Sequence, residues 1–285
     1  VSGAQSLNRK ATLVGWLPLA WYLFFLSGPF VLVVLTSFAS RGLYGGIEWT
    51  FSVAGYARAF DVLYLHILLR SFIVATLTAA ACLLIGLPMA WAMATASQTR
   101  RSVYVLLLAI PFLTNLVIRV CALKAITSYD GPLASLLTLL QIQFDPYLLS
   151  QNQVLVVYGM ISSYLPFMVF PIYAALERFD FSLLEAAQDL GASTGQMLRL
   201  ILIPVLRRPI FSGLTLVFIP CLGEFVIPDL LGGAKSMLAG NLISEQFLKA
   251  RDWPFGSVLS ALLVVALFLI SALSKRLENR EGQNA

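Results

Sequence analysis

Phe255-Gly256-Ser257-Val258-Leu259-Ser260-Ala261-Leu262-Leu263-Val264-Val265-Ala266-Leu267-Phe268-Leu269-Ile270-Ser271-Ala272-Leu273-Ser274 is 20 residues without a charge, followed at once by Lys275-Arg276. A helix of that length, at 1.5 Å per residue, crosses the roughly 30 Å of hydrocarbon in a bilayer. Five further runs precede it. They are Ala11 to Ser40, Ser71 to Thr99, Ser102 to Ile118 continuing past Arg119 to Leu123, Pro146 to Leu176 with its apolar core at Val154 to Tyr173, and Pro209 to Gly223 extended through Ile227. The fold expected is therefore all-α: a polytopic membrane protein with six transmembrane helices. The first run is too long, and lacks a small-x-small site at the right distance, to read as a cleaved leader.

Composition agrees. Apolar residues make up 59% of the 285 and charged residues only 12%, about half the charged share of soluble domains. This excludes an ordinary cytosolic enzyme and a disordered chain. The single histidine, His66, excludes a polyhistidine zinc site, and Cys82, Cys121 and Cys221 form no CxxC pair. The net charge of +5 is scattered between apolar runs, so no nucleic-acid patch is formed. With the N-terminus inside, the inner loops carry eleven Lys and Arg and the outer loops seven. The pairs Arg9-Lys10, Arg100-Arg101, Arg207-Arg208 and Lys275-Arg276 all fall at inner ends. Both termini are expected in the cytoplasm. The division is residues 1–10 as an inner N-terminus, 11–274 as the transmembrane domain with a cytoplasmic loop at 177–208, and 275–285 as an inner tail. Pro18, Pro29, Pro88, Pro111, Pro166, Pro171 and Pro220 interrupt spans, and each removes a backbone donor.

The inner loop before the fifth span reads Phe181-Ser182-Leu183-Leu184-Glu185-Ala186-Ala187-Gln188-Asp189-Leu190-Gly191, then Ala192 to Pro204. Two short amphipathic helices are expected. Ser182 with Glu185 forms a capping box for the first, and Gly191 ends it in a left-handed conformation. Ser193 or Thr194 caps the second, which runs to about Leu202, with Pro204 at its exit. Glu185 and Asp189 stand i,i+4 on one face, and Ala186 and Ala187 allow close approach. Such a face suits a basic partner protein; the alternative is a helix resting on the inner leaflet.

The pattern Glu185-Ala186-Ala187, three residues, Gly191, nine residues, Ile201-Leu202-Ile203-Pro204 resembles the EAA loop of type I ABC importer permeases. Ile110-Pro111-Phe112 through Arg119, Tyr164-Leu165-Pro166-Phe167-Met168, Gly223-Glu224-Phe225-Val226-Ile227-Pro228, Leu231-Gly232-Gly233 and Arg251-Asp252-Trp253-Pro254 resemble the spermidine/putrescine branch, so that the likeness covers about Val14 to Ser274. Ile203 stands where many relatives carry leucine, a volume-conserving change. The resemblance implies a coupling helix seated in a cytoplasmic ABC ATPase dimer, with Glu185 as the contacting acid and Gly191 as the shaping turn. It also implies a second, non-identical permease subunit, a periplasmic substrate-binding protein and the bacterial inner membrane. ATP and Mg would be bound by the partner ATPase subunits, and this chain needs no cofactor or metal of its own. Leu231-Gly232-Gly233-Ala234-Lys235-Ser236 lacks the phosphate-loop spacing. The chain therefore reads as a transport subunit rather than an enzyme. Import of another small solute, such as an amino-acid-like compound, a stand-alone secondary transporter and a membrane scaffold are the other readings.

Ionisable groups at membrane depth are functional candidates. Glu224 and Asp229 flank Phe225-Val226-Ile227-Pro228 at the outer end of the fifth span, where Pro220 and Pro228 favour irregular backbone. Two carboxylates near an aromatic ring suit an ammonium-bearing substrate; the bland reading pairs them with Arg119, Lys124 or Lys235. Tyr129, Asp130 and Trp253 are further pathway candidates. Arg119 either snorkels to the outer surface or joins an ion pair, and Asn115, one turn earlier, could share its network. The outer loop from Arg41 to Arg70 is long enough for a short helix and could meet the binding protein or lie solvated.

Overall fold

The structure, a computed structural model, describes residues 2–140, 152–233 and 236–282. Helix α1 (Ser2–Ser37) leads to a two-stranded hairpin, β1 (Ser40–Arg41) and β2 (Ile47–Glu48), antiparallel with Ser40 opposite Glu48. Then follow α2 (Ala54–Ala59), α3 (Val62–Ala94), α4 (Gln98–Leu113), α5 (Leu116–Ile126), α6 (Pro132–Leu139), α7 (Gln153–Glu177), α8 (Ser182–Asp189), α9 (Thr194–Gly223), α10 (Val226–Leu231), α11 (Ala239–Leu248) and α12 (Trp253–Gly282). Among the described residues five helices are long and apolar enough to cross a membrane. The expected six are recovered when α4 and α5, bent by 93° about a short break, are taken as one span.

That break corrects the expectation of a continuous third helix. Pro111 removes a donor one turn before α4 ends, and Thr114 and Asn115 adopt extended backbone. The Asn115 side-chain Oδ1 then accepts from the Val117 amide at 2.8 Å and caps α5, which satisfies a helix start in place of water. Asn115 thus serves the backbone, not the Arg119 side chain. The second span also differs: α3 begins at Val62, not Ser71, so Arg70 lies within a helix. Its guanidinium reaches Gln153 Oε1 at 2.8 Å, which makes a charged residue tolerable there. The uncharged run at Pro146 to Gln151, and Lys235 as a partner for the outer carboxylates, lie outside the described residues.

The described residues fall into two compact units. One spans Leu65–Leu242 and resumes at Leu267. Its centre is α7, half of whose apolar window is buried. Small residues of α3, among them Ala75, Ala79, Gly86 and Ala90, line the core beside Met160, Met168 and Ile172. A Cβ at Gly213 of α9 would stand 2.7 Å from Met168 Sδ, and one at Gly86 of α3 would stand 3.1 Å from Met168 Cγ. One methionine thus fills hollows left by two glycines, the small-residue packing by which helices approach in lipid.

The other unit comprises residues up to Tyr64 with Ile243–Ala266. Gly45 and Gly46, at φ of 89° and 84°, turn the hairpin, and Gly46 N–H donates to the Arg251 carbonyl at 2.7 Å. Asp252, only 3% exposed, accepts from Arg58 Nη1 at 2.8 Å and caps α12 through the Phe255 amide at 3.2 Å. Arg58 also lies 3.9 Å over the Phe255 ring and donates to Tyr64 Oη. Burial works against the charged guanidinium, but the hydrogen bonds to Tyr64 and Asp252 outweigh it and hold its pKa above the usual arginine value. The outer loop at Arg41 to Arg70 is accordingly neither wholly loop nor wholly solvated.

Candidate functional site

The inner loop is held by its flanks. Arg101 pairs with Glu177 at 3.1 Å and donates to the Ala94 carbonyl, which ties the end of α7 to the turn between α3 and α4. Phe181 meets Trp91 edge-on at 5.7 Å and Phe179 at 5.4 Å. From this anchor α8 projects with Glu185, Ala186, Asp189 and Gly191 exposed and Ala187 half-buried. Neither Glu185 nor Asp189 has an ion-pair partner among the described residues. Behind α8 lies an apolar cavity of about 490 Å³, bordered by Trp91, Leu176, Leu184, Met197 and Leu202, with Glu185 at its edge.

Local chemistry shapes the loop. Ser182 does not cap α8, contrary to expectation, because the chain turns two residues earlier: Asp180 Oδ1 accepts from the Ser182 amide at 3.0 Å. Hydrogen bonding to Ser182 holds the Asp180 carboxyl below the usual aspartate pKa. At the other end Gly191 has φ of 83°, as expected, and Ala192 N–H donates to the Ala187 carbonyl while Gly191 N–H donates to Gln188. These paired bonds form a Schellman cap. Ser193 caps the next helix in a reciprocal box with Gln196. That helix does not stop near Leu202. It continues through a wide turn at Leu198–Leu202 into the fifth span, with Ile203 N–H reaching the Leu198 carbonyl. The wide turn relieves the carbonyl that the Pro204 ring would strike and needs no amide from Pro204.

The second candidate lies where α9 stops at Gly223 and α10 starts at Val226. Glu224, 8% exposed, sits in this break. Its Oε1 accepts from the Val226 amide at 2.9 Å and the Ile227 amide at 3.3 Å, and its Oε2 accepts from the Tyr164 hydroxyl. The alternative of pairing Glu224 or Asp229 with Arg119 or Lys124 is not realised among the described residues. Arg119 forms no ion pair among the described residues, and its Nε and Nη1 are enclosed with no hydrogen-bond partner there. Phe225 and Asp229 are exposed in the same segment, as are Tyr129 and Asp130 after α5. Trp253 belongs to the other compact unit, edge-on to Phe247 at 6.0 Å.

Two members of this neighbourhood were not legible. Tyr164 reads as one more aromatic residue in an apolar run, and only the fold sets its hydroxyl on Glu224. Asn241, 8% exposed at the start of α11, donates through Nδ2 to the Phe225 carbonyl at 2.9 Å, and its Oδ1 is buried without a partner among the described residues. No local pattern marks that residue. Among the described residues no group of three or more His, Cys, Asp or Glu could hold a metal ion.

Residues 82–280 match the family model "Binding-protein-dependent transport system inner membrane component". The chain is 39% identical over 259 residues to the spermidine/putrescine transport system permease protein PotB of Escherichia coli (strain K12), covering 91% of this chain and 92% of that one. Identity to PotB of Salmonella typhi is also 39%, over 91% and 88%. For PotB of Haemophilus influenzae it is 36%, over 88% of each. Among solved structures, a chain of a bacterial ABC transporter that imports the acidic polysaccharide alginate superposes with a TM-score of 0.79 at 15% identity, covering 98% of this chain and 99% of that one. At that identity the likeness concerns the fold alone.

Proposed function

Because the chain belongs to the family of binding-protein-dependent transport system inner membrane components, we propose that it is the permease subunit of an ABC importer for spermidine and putrescine. The observation that carries this reading is the 39% identity to PotB over nine-tenths of the chain. The chain is the non-enzymatic membrane component; ATP and Mg are bound by a cytoplasmic ATPase dimer. A second, non-identical permease subunit forms the other half of the pathway, and a periplasmic binding protein delivers the substrate. Both termini lie in the cytoplasm, with residues 1–10 and 275–285 on that side and the loop at 177–208 facing the ATPase.

The work of this subunit is mechanical. Glu185 and Asp189, exposed and without ion-pair partners among the described residues, receive basic side chains of the ATPase, and Ala186 and Ala187 let its surface come close. Gly191 and the Ser193 cap fix the angle between α8 and α9. Because α9 is continuous from the loop into the membrane, a push on α8 reaches the break at Glu224 through a single helix. Closure of the ATPase dimer on ATP thereby shifts the pathway between outward-facing and inward-facing states. Glu224, Asp229, Phe225, Tyr129 and Trp253 are the proposed pathway residues, the carboxylates neutralising a polycation.

The test is ATP hydrolysis by the reconstituted complex with its binding protein and a panel of putrescine, spermidine, amino acids and other small solutes. Stimulation by polyamines alone is the expected result. Stimulation by a different solute would overturn the substrate, and failure to assemble with any ATPase would overturn the docking role of α8.

A further inference from the structure

The break between α9 and α10 has an unbalanced set of hydrogen-bonding groups. An ionised carboxylate offers about four acceptor positions. Among the described residues Glu224 uses three, for Tyr164, Val226 and Ile227. Asn241 cannot be turned to hide its spare oxygen, since its Nδ2 is committed to the Phe225 carbonyl and a reversed amide would set two acceptors face to face. Its Oδ1 is therefore a buried acceptor without a donor among the described residues. α9 adds the negative end of its dipole, which ends at Gly223. Space is open at Gly223, where an added Cβ would meet nothing within 4 Å, whereas at Gly240 it would stand 2.5 Å from the Glu224 carbonyl oxygen. The backbone of α11 thus packs directly on the break at Gly240, while space is open beside Gly223.

We propose that this break is a subsite for one primary ammonium group of the transported cation. Glu224 is its counter-ion, Asn241 Oδ1 a neutral acceptor and the Tyr164 hydroxyl the group it displaces. The count matches the chemistry. An –NH3+ group brings three donors. The fourth position on Glu224, the one Tyr164 gives up and Asn241 Oδ1 supply three acceptors. A quaternary ammonium has no N–H and satisfies none of them, so the subsite selects for a free amine terminus. Arg119, whose positive charge stands near the same Tyr164 hydroxyl and whose Nε and Nη1 have no partner among the described residues, opposes the cation. That opposition keeps occupancy reversible, as a transport pathway requires. This assignment rests on the polyamine reading above.

The experiment uses the complete complex in nanodiscs, trapped with nucleotide after delivery of radiolabelled putrescine by the binding protein. Retained putrescine and its release rate are measured beside ATP hydrolysis. Glu224→Gln and Asn241→Leu are each expected to lower retention at least tenfold and by more than they lower ATP hydrolysis. Tyr164→Phe and Arg119→Gln are expected to slow release several-fold, a gain that general damage to the fold cannot produce. In the wild type, excess unlabelled putrescine should displace the label and the bis-trimethylammonium analogue should not. Wild-type retention with Glu224→Gln and Asn241→Leu unchanged would overturn the subsite and leave the importer reading standing. Loss of retention in Arg119→Gln would mean that the break holds an anion, and would overturn it as well. If either loss variant fails to assemble, the release rate of Tyr164→Phe decides, and an unchanged or faster rate counts against the proposal. A wild-type complex that retains no polyamine at all would instead remove the substrate reading, and the subsite with it.

Discussion

Glu185 is exposed, without an ion-pair partner among the described residues, and set on a helix that projects from an aromatic anchor. Reversing its charge should leave the membrane helices untouched and abolish the contact with a basic ATPase groove. Glu185→Arg is therefore expected to insert at normal levels while polyamine uptake falls more than tenfold, as read by uptake and ATP hydrolysis in proteoliposomes. Uptake at the normal rate would remove Glu185 from the coupling contact. Gly191 poses a different requirement, since its φ of 83° leaves space for a side chain but strains any residue with a Cβ. The left-handed conformation costs an L-residue about 1–2 kcal/mol. Gly191→Ala should weaken association with the ATPase about tenfold. Gly195→Ala, in helical backbone with equal space, should change it little; binding measured on the detergent-solubilised subunits distinguishes the two.

At the scale of elements, caps decide where helices begin, and two of them make measurable claims. Asp180 holds the start of α8, and hydrogen bonding to Ser182 lowers its pKa. A depressed carboxylate contributes stability that is complete above its ordinary value of about 3.9 and is lost as pH falls through the lower folded value. The protection of α8 amides against hydrogen exchange, corrected for intrinsic rates, should be flat from about pH 5 to pH 8 and decline only below about pH 4. A decline near pH 6 would assign the cap to another group. Asn115 holds the start of α5 at a 93° bend inside the apolar region. Asn115→Ala should destabilise by about 0.5–2 kcal/mol, seen as a lowered thermal midpoint of the purified complex. An unchanged midpoint would mean that packing, not the cap, holds the bend.

At the scale of the whole molecule one apolar helix is left almost bare. The apolar window of α1, Pro18–Ser37, is only 6% buried within the chain, against half for α7. Lipid covers such a face without cost, and so does a neighbouring permease. With a sister subunit as partner, native mass spectrometry of the solubilised importer is expected to show one copy of this chain, one of a different permease and two ATPase subunits. Two copies of this chain would make the pathway homodimeric and place two Glu224 carboxylates along it.

The number and type of the spans were legible in the sequence, because a bilayer demands long uncharged helices whatever they pack against. The turn and cap of the loop at 177–208 were legible too, because Gly191 and Ser193 act through local backbone rules that need no distant neighbour. Tertiary structure alone decided where those rules yield. Arg70 entered a helix because Gln153, 83 positions away, meets its charge. The third span broke at Asn115, and α9 ran on through Pro204 by widening one turn. Tyr164, Glu224 and Asn241 became one neighbourhood only when α7, the α9 break and α11 were brought together. Side-chain hydrogen bonds between distant segments leave no periodicity to read, and in lipid they still determine which polar groups are satisfied and which remain open to a ligand.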